Sequence, residues 1–195
     1  MVVKYINRKE DTYYLHQGKT KTGNPKYFFS NKKDNDLVNT LPQCYEIYEN
    51  PNAQVFLRII SPKIITDEEL SIVKNGVKKY SKLKDFKIDV EKNKIIIFFP
   101  DQCMDELKDD LVSMAKKFNP DNPNIEEDLE KKLRQYIRYS PKLRFVLTDK
   151  INREFKCEAH RILGSKDDWI LVSSSCDLAK LVEKIRMVPG QALTF

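Results

Sequence analysis

The 195-residue chain has no run of eighteen apolar residues. Its densest apolar stretch, Ile95-Ile96-Ile97-Phe98-Phe99, is only strand length, so a membrane-spanning helix is excluded. The opening residues Met1-Val2-Val3-Lys4-Tyr5 lack the apolar region of a secretory signal, and a cytoplasmic location is expected. Cys44, Cys103, Cys157 and Cys176 form no Cys-x-x-Cys pair, and His16 and His160 are the only histidines. A structural zinc site lacks its usual spacing, and neither a metal nor another cofactor is expected. A phosphate-binding loop is missing too. Gly18-Lys19-Thr20 would need a glycine at position 13, where Tyr13 stands, and a helix directly after it, where strand residues follow.

What is present is an ordinary folded composition, 41% hydrophobic and 33% charged, which supports a real core and rules out global disorder. The net charge of +6 is local. Lys4, Arg8, Lys9, Lys19, Lys21, Lys26, Lys32 and Lys33 face only Glu10 and Asp11 within the first 33 residues, and the rest of the chain sums to zero. That neutrality is a cancellation: residues 101–130 carry −7 and residues 131–161 carry +7. Such segregation acts on encounter and binding, and says nothing about fold.

The first sixty residues read as β-structure, with strands at Thr12–His16, Lys26–Ser30, Tyr45–Tyr48 and Gln54–Ile60. Four strands with short turns suggest a small β-meander or partly closed barrel. From Thr66 the period becomes helical. Thr66 with Glu69 makes a capping box, and Leu70, Val73, Val77 and Tyr80 follow at helical spacing. Phe86–Val90 and Lys94–Phe99 form a hairpin, and Met104, Leu107, Leu111, Met114 and Phe118 a further apolar stripe. After the break at Asn119–Asn124 comes a helix over Ile125–Tyr139, acidic first and basic last. Strands at Lys142–Thr148, Glu154–Ile162 and Trp169–Val172 precede a last helix from about Cys176 to Arg186, with Ser174 or Ser175 as its N-cap.

Shifted by 59 residues, Asp67-Glu68-Glu69-Leu70 meets Glu126-Glu127-Asp128-Leu129, Lys79-Tyr80-Ser81 meets Arg138-Tyr139-Ser140, and Phe86 meets Phe145. Two repeats, 66–118 and 125–186, are one explanation and coincidence is the other. The expected fold class is α+β: an N-terminal antiparallel β-module over residues 1–62, then an α+β domain over 63–195. That second domain is a helix–hairpin–helix region, duplicated if the repeat is real, with antiparallel sheet.

The Lys-rich connection Gly18–Pro25 suggests a hairpin tip that contacts nucleic-acid phosphate through Lys19, Lys21 and Lys26. Tyr13, Tyr14, Tyr27, Phe28 and Phe29 on the flanking strands would then offer stacking rings. The alternative is that these aromatics fill a core and the lysines keep a loop soluble. Arg134, Arg138 and Arg144, interleaved with Tyr136 and Tyr139, make a second candidate patch, set against an ordinary solvated helix surface. Cys157 and His160, three apart on a strand, point to opposite faces and so make no nucleophile–base pair. Cys176 after three serines is a candidate reactive thiol without a partner histidine. Asp149 with Glu154-Phe155-Lys156 resembles the Asp…Glu-x-Lys pattern of restriction-like nucleases, at a separation much shorter than that family uses; a solvated hairpin is the simpler explanation.

Tyr13 to Ser30, with Gly18-Lys19-Thr20-Lys21 and Pro25-Lys26-Tyr27, resembles the opening hairpin of a family of uncharacterised prokaryotic proteins. The stretch from Tyr45 to Arg58 fits the same pattern. The resemblance spans about the first sixty residues and implies no activity, cofactor or substrate. The leading expectation is a non-catalytic nucleic-acid-binding or accessory protein. A protein–protein module pairing its acidic and basic faces comes second, and a metal-dependent nuclease third.

Overall fold

The computed structural model describes residues 2–34, 36–81, 85–101, 111–117, 124–163 and 166–187. The chain divides into two compact units, Met1–Pro62 and Lys63–Phe195. Expected features at Met104, Leu107 and Phe118, Cys103, and the break before Asn124 lie outside the described residues. So does much of the acidic segment.

The first unit contains five strands in two sheets. Strands β1 (Lys4–Ile6), β2 (Thr12–Lys19) and β3 (Pro25–Ser30) form an antiparallel sheet in the order β1-β2-β3. Strands β4 (Tyr45–Glu49) and β5 (Val55–Ile59) form a separate hairpin. The expected single meander or partly closed barrel does not form, because the segment after β3 turns back on β2 instead of pairing onward with β4. The Val38 N–H donates to the Leu15 carbonyl, the Leu15 N–H to Val3, and the Val3 N–H to Val38, enclosing the fully buried Leu15. Buried Asn7 ties the two sheets together. Its amide donates to the Ala53 carbonyl at 2.8 Å and to Asp11 at 3.0 Å, and its oxygen accepts the N–H groups of Lys9 and Asp11. Nearby Glu49 accepts from Arg8 Nε at 2.6 Å and from the Tyr5 hydroxyl at 3.0 Å.

In the second unit the expected helix–hairpin–helix region is overturned. Strands β6 (Lys87–Glu91), β7 (Lys94–Pro100), β8 (Tyr139–Asp149), β9 (Glu154–Leu163) and β10 (Lys166–Ser175) join in one antiparallel sheet, in the order β10-β9-β8-β7-β6. The structure is therefore mostly antiparallel sheet. The physical reason lies in β7. Ile95 and Ile97 are buried on one face and Ile96 on the other, which shields the backbone of this strand from water, so its N–H and C=O groups need protein partners on both edges, and β8 supplies the second set. The eleven-residue β8 then carries the ladder on to β9.

Helices α1 (Asp67–Tyr80) and α3 (Leu178–Glu183) cover the face bearing Ile95, Ile97, Leu143, Phe145, Phe155 and Cys157. Helix α2 (Ile125–Tyr136) precedes β8, and residues 111–117 are also helical. Helix α1 starts where its sequence directs. Thr66 Oγ1 accepts the Glu69 N–H, and the Glu69 carboxylate accepts the Thr66 N–H at 2.9 Å. Arg153, from the β8–β9 turn, clamps the same carboxylate with contacts of 2.5 and 2.8 Å. Helix α3 is capped by Asp177, whose carboxylate accepts the Lys180 N–H, rather than by Ser174 or Ser175; Ser175 instead accepts the Asp177 N–H. Gly76 lies buried where α1 meets α3. A Cβ there would stand 2.0 Å from Val182 Cγ1.

Candidate functional site

The β2–β3 hairpin is fixed by its register: Tyr14 opposite Ser30, His16 opposite Phe28, Gly18 opposite Lys26. Directly opposed residues share a face, and faces alternate along each strand. One face therefore carries Tyr14, His16, Gly18, Lys26 and Phe28. The other carries Tyr13, Leu15, Lys19, Tyr27 and Phe29. The aromatics expected to form one stacking surface are split between the two.

On the first face, Phe28 lies parallel on the imidazole of His16, with ring centroids 5.4 Å apart and planes 13° apart. His16 is buried, and its Nε2 donates to the Lys32 carbonyl at 3.0 Å. Phe28 remains 43% exposed, so its outer surface is open to a ligand. Gly18 lies beside the ring, and a Cβ there would make an ordinary contact of 3.4 Å with Phe28 Cε1. On the second face the half-buried Tyr27 packs against Tyr45, with centroids 6.3 Å apart.

The tip is a bonded turn. The Thr20 N–H donates to the Asn24 carbonyl at 2.8 Å, the Gly23 N–H to the Thr20 carbonyl at 2.9 Å, and Thr20 Oγ1 accepts the Asn24 N–H. Gly23 at φ 83° sits in the left-handed region that favours glycine. Lys19, Lys21 and Lys26 project from this frame, all exposed and with no carboxylate partner among the described residues.

The second candidate patch is divided differently. Arg138 is exposed between α2 and β8, and Arg134 lies on α2. Arg144 is six residues further along β8 than Arg138, about 20 Å at strand spacing. Its guanidinium is committed to the protein: Nε donates to Glu158 at 2.5 Å, and the group stacks 4.2 Å above the Trp169 ring. Lys156 takes the other Glu158 oxygen at 2.7 Å. Burial opposes ionisation of Glu158, but hydrogen bonds from Lys156 and Arg144 prevail and hold its carboxyl below the usual range. His160 meets the far side of the cluster, with its ring centroid 5.0 Å from that of Trp169. This cluster escaped the sequence reading. Its only signal was alternation, with Lys156, Glu158 and His160 on one face of a strand whose other face is core.

The remaining candidates resolve into local structure. Asp149 accepts the N–H groups of Ile151 at 2.7 Å and Asn152 at 3.0 Å and the Asn152 side chain at 2.8 Å, and these bonds lower its carboxyl pKa. It caps the β8–β9 turn. Among the described residues no three His, Cys, Asp or Glu side chains stand close enough to hold a metal ion. Cys157 faces the core and His160 the opposite side of the sheet. Burial, with Glu158 beside it, pushes the Cys157 thiol up to about 12. Cys176 is exposed ahead of α3, a helix too short to present an N-terminal site.

No described helix is long and apolar enough to cross a membrane. Comparison of the chain with protein-family models, with curated proteins and with solved structures finds no match.

Proposed function

We propose that the protein is a non-catalytic binder of single-stranded nucleic acid and that the β2–β3 hairpin is its contact surface. The observation that carries this reading is the exposed Phe28 ring seated on buried His16, with Lys26 on the same face, Lys21 at the adjoining tip, and Lys19 leaving the strand beside the tip on the opposite face. Unpaired bases stack on aromatic rings irrespective of sequence, while lysines track the phosphates between them. A ring already held parallel to a second ring loses little freedom when a base lands on it. Tyr27, on the opposite face, positions the hairpin against Tyr45 instead of meeting the ligand. Arg144 is spent on Glu158 and Trp169, which leaves Arg138 as the exposed base at the start of β8. Free thiols at Cys44, Cys157 and Cys176 suit a reducing compartment, and we assign the binder to the cytoplasm.

The test is a titration of labelled oligo-dT, oligo-U and a DNA duplex at two salt concentrations. The reading expects the single strands to bind more tightly than the duplex. It also expects a log–log salt slope near −2, about −0.7 for each of three lysine–phosphate contacts. Absence of binding at low salt defeats it.

A further inference from the structure

A second surface lies on the other unit, at the β6 edge of the five-stranded sheet. A cleft of about 400 Å³ runs between β6 and helix α1. Its apolar floor is Leu70, Phe86, Ile88 and Val90, all half-buried against the core, and Lys74 and Lys78 stand on its helical wall. Leu70, Lys74 and Lys78 are four residues apart in turn, which places them along one stripe of α1.

The strand edge in this cleft has unused pairing capacity. β6 is the last described strand of the sheet and pairs only with β7. Backbone groups in an antiparallel ladder point alternately toward and away from the neighbour. The Leu147 N–H donates to the Asn93 carbonyl, so Asn93, Ile95 and Ile97 address β8, whereas Lys94, Ile96 and Phe98 address β6. Their partners Glu91, Asp89 and Lys87 are then the β6 residues bonded to β7. Ile88 and Val90 point their backbone groups outward. The Val90 N–H confirms the phase, since it donates to Asp89 Oδ1 at 2.9 Å instead of to β7. The outward backbone and the apolar side chains of Ile88 and Val90 thus belong to the same cleft, where one more strand would fit beneath α1.

We infer that this cleft binds an extended peptide of a partner protein by strand addition, with apolar and acidic side chains alternating on the face it turns toward α1. Main-chain bonds to the Ile88 N–H and to the Ile88 and Val90 carbonyls would supply affinity, the Val90 N–H being held by Asp89 Oδ1, and the side-chain positions specificity. The choice of occupant follows from charge. Lys74 and Lys78 are exposed without a carboxylate partner among the described residues; the Lys87 ammonium stands 5.4 Å over the Tyr139 ring, and the Asp89 carboxylate is held by the Val90 N–H. The carboxylate of Asp85, also at the rim, is engaged by the Tyr139 hydroxyl at 2.6 Å. A second copy pairing edge to edge about a two-fold axis would bring its own Lys74 and Lys78 toward these same residues. Like charges there oppose self-pairing, whereas an acidic strand is complementary.

The full-length protein tests this on an array of short peptides whose alternate positions vary among apolar, acidic, basic and neutral residues. The expected result is selection of apolar and acidic residues two apart. The Lys74→Glu/Lys78→Glu double variant should bind the selected peptide about tenfold more weakly or worse, since each reversal removes an attraction and adds a repulsion. Ile88→Pro should abolish binding, and because its N–H points away from β7 the existing ladder is kept. Should circular dichroism show that variant unfolded, the surface lysine variant carries the test. In the wild type, hydrogen exchange at the Ile88 amide should slow when peptide is bound. No selection above scrambled peptides, unchanged affinity in the lysine variant, or an Ile88 amide indifferent to peptide would each overturn the proposal. So would a concentration-dependent doubling of mass that Ile88→Pro removes, which would assign the edge to a second copy.

Discussion

Phe28 rests parallel on His16 at a centroid distance of 5.4 Å, so that one ring is buried and the other faces solvent. The imidazole cannot turn away, because its Nε2–H is bonded to the Lys32 carbonyl. An exposed aromatic would ordinarily lower its exposure by folding onto the surface. Here the surface it folds onto is another ring, and its outer side remains available.

The support for Phe28 can be weakened without touching the exposed side. His16→Leu keeps an apolar side chain beneath the ring but removes the bond from the buried imidazole to the carbonyl of exposed Lys32. A loss of about 0.5–1.5 kcal/mol in chemical denaturation is expected for one part-buried hydrogen bond, together with weaker oligonucleotide binding. Unchanged stability would mean that the imidazole is not held as described.

Gly76→Ala tests the packing of α1 on α3. Alanine is the better helix former by roughly 1 kcal/mol, yet its Cβ would stand 2.0 Å from Val182 Cγ1. Overpacking of this kind costs about 1–3 kcal/mol, so the variant should lose stability. The double variant with Val182→Ala should recover part of the loss. A more stable Gly76→Ala would contradict the close approach of the two helices.

The Glu158 cluster predicts a pH dependence. Its carboxyl pKa is lowered in the folded protein from an ordinary 4.5. The stabilisation is therefore fully present above about pH 4.5 and is lost as the pH falls through the lower folded value. Acid unfolding of Glu158→Gln should be correspondingly shallower below pH 4.5, and the variant less stable near neutrality, where Arg144 and Lys156 lose their shared anion. Parallel acid-unfolding curves would show that Glu158 makes no such contribution.

Thiol reactivity should follow burial. With its pKa pushed up to about 12 and its side chain in the core, Cys157 should resist alkylation at pH 8 in the native protein. Cys44 and Cys176, both exposed, should be labelled. Peptide mass mapping after brief alkylation distinguishes them, and rapid labelling of Cys157 would place it outside the core.

Local signals in the sequence were legible where a single element decides the outcome. Thr66 and Glu69 announced the start of α1, and the aromatic runs announced β2 and β3. Pairing between distant strands was not legible. The run Ile95–Phe99 is consistent with a hairpin strand, and only its burial on both faces marks it as a central strand between β6 and β8. The basic segment shows a different failure. A charge count takes no account of pairing, and Arg144, Lys142, Arg153 and Lys156 all have carboxylate partners, in Glu158, Asp101, Glu69 and Glu158 respectively. Asp101 and Glu69 lie outside residues 131–161, Asp101 in the acidic segment before them. The lysines of the hairpin tip escape this cancellation because the tip holds no acid, a local fact that the sequence does contain.

The most direct measurement is the affinity of Phe28→Ala for a labelled oligo-dT at low salt, compared with wild type and with Phe56→Ala, which removes another exposed ring of the same unit. Loss of one stacked base costs about 1–3 kcal/mol, a fall in affinity of roughly fivefold to more than a hundredfold. The account predicts that loss for Phe28→Ala and near-wild-type binding for Phe56→Ala. Equal affinity for wild type and Phe28→Ala would contradict it.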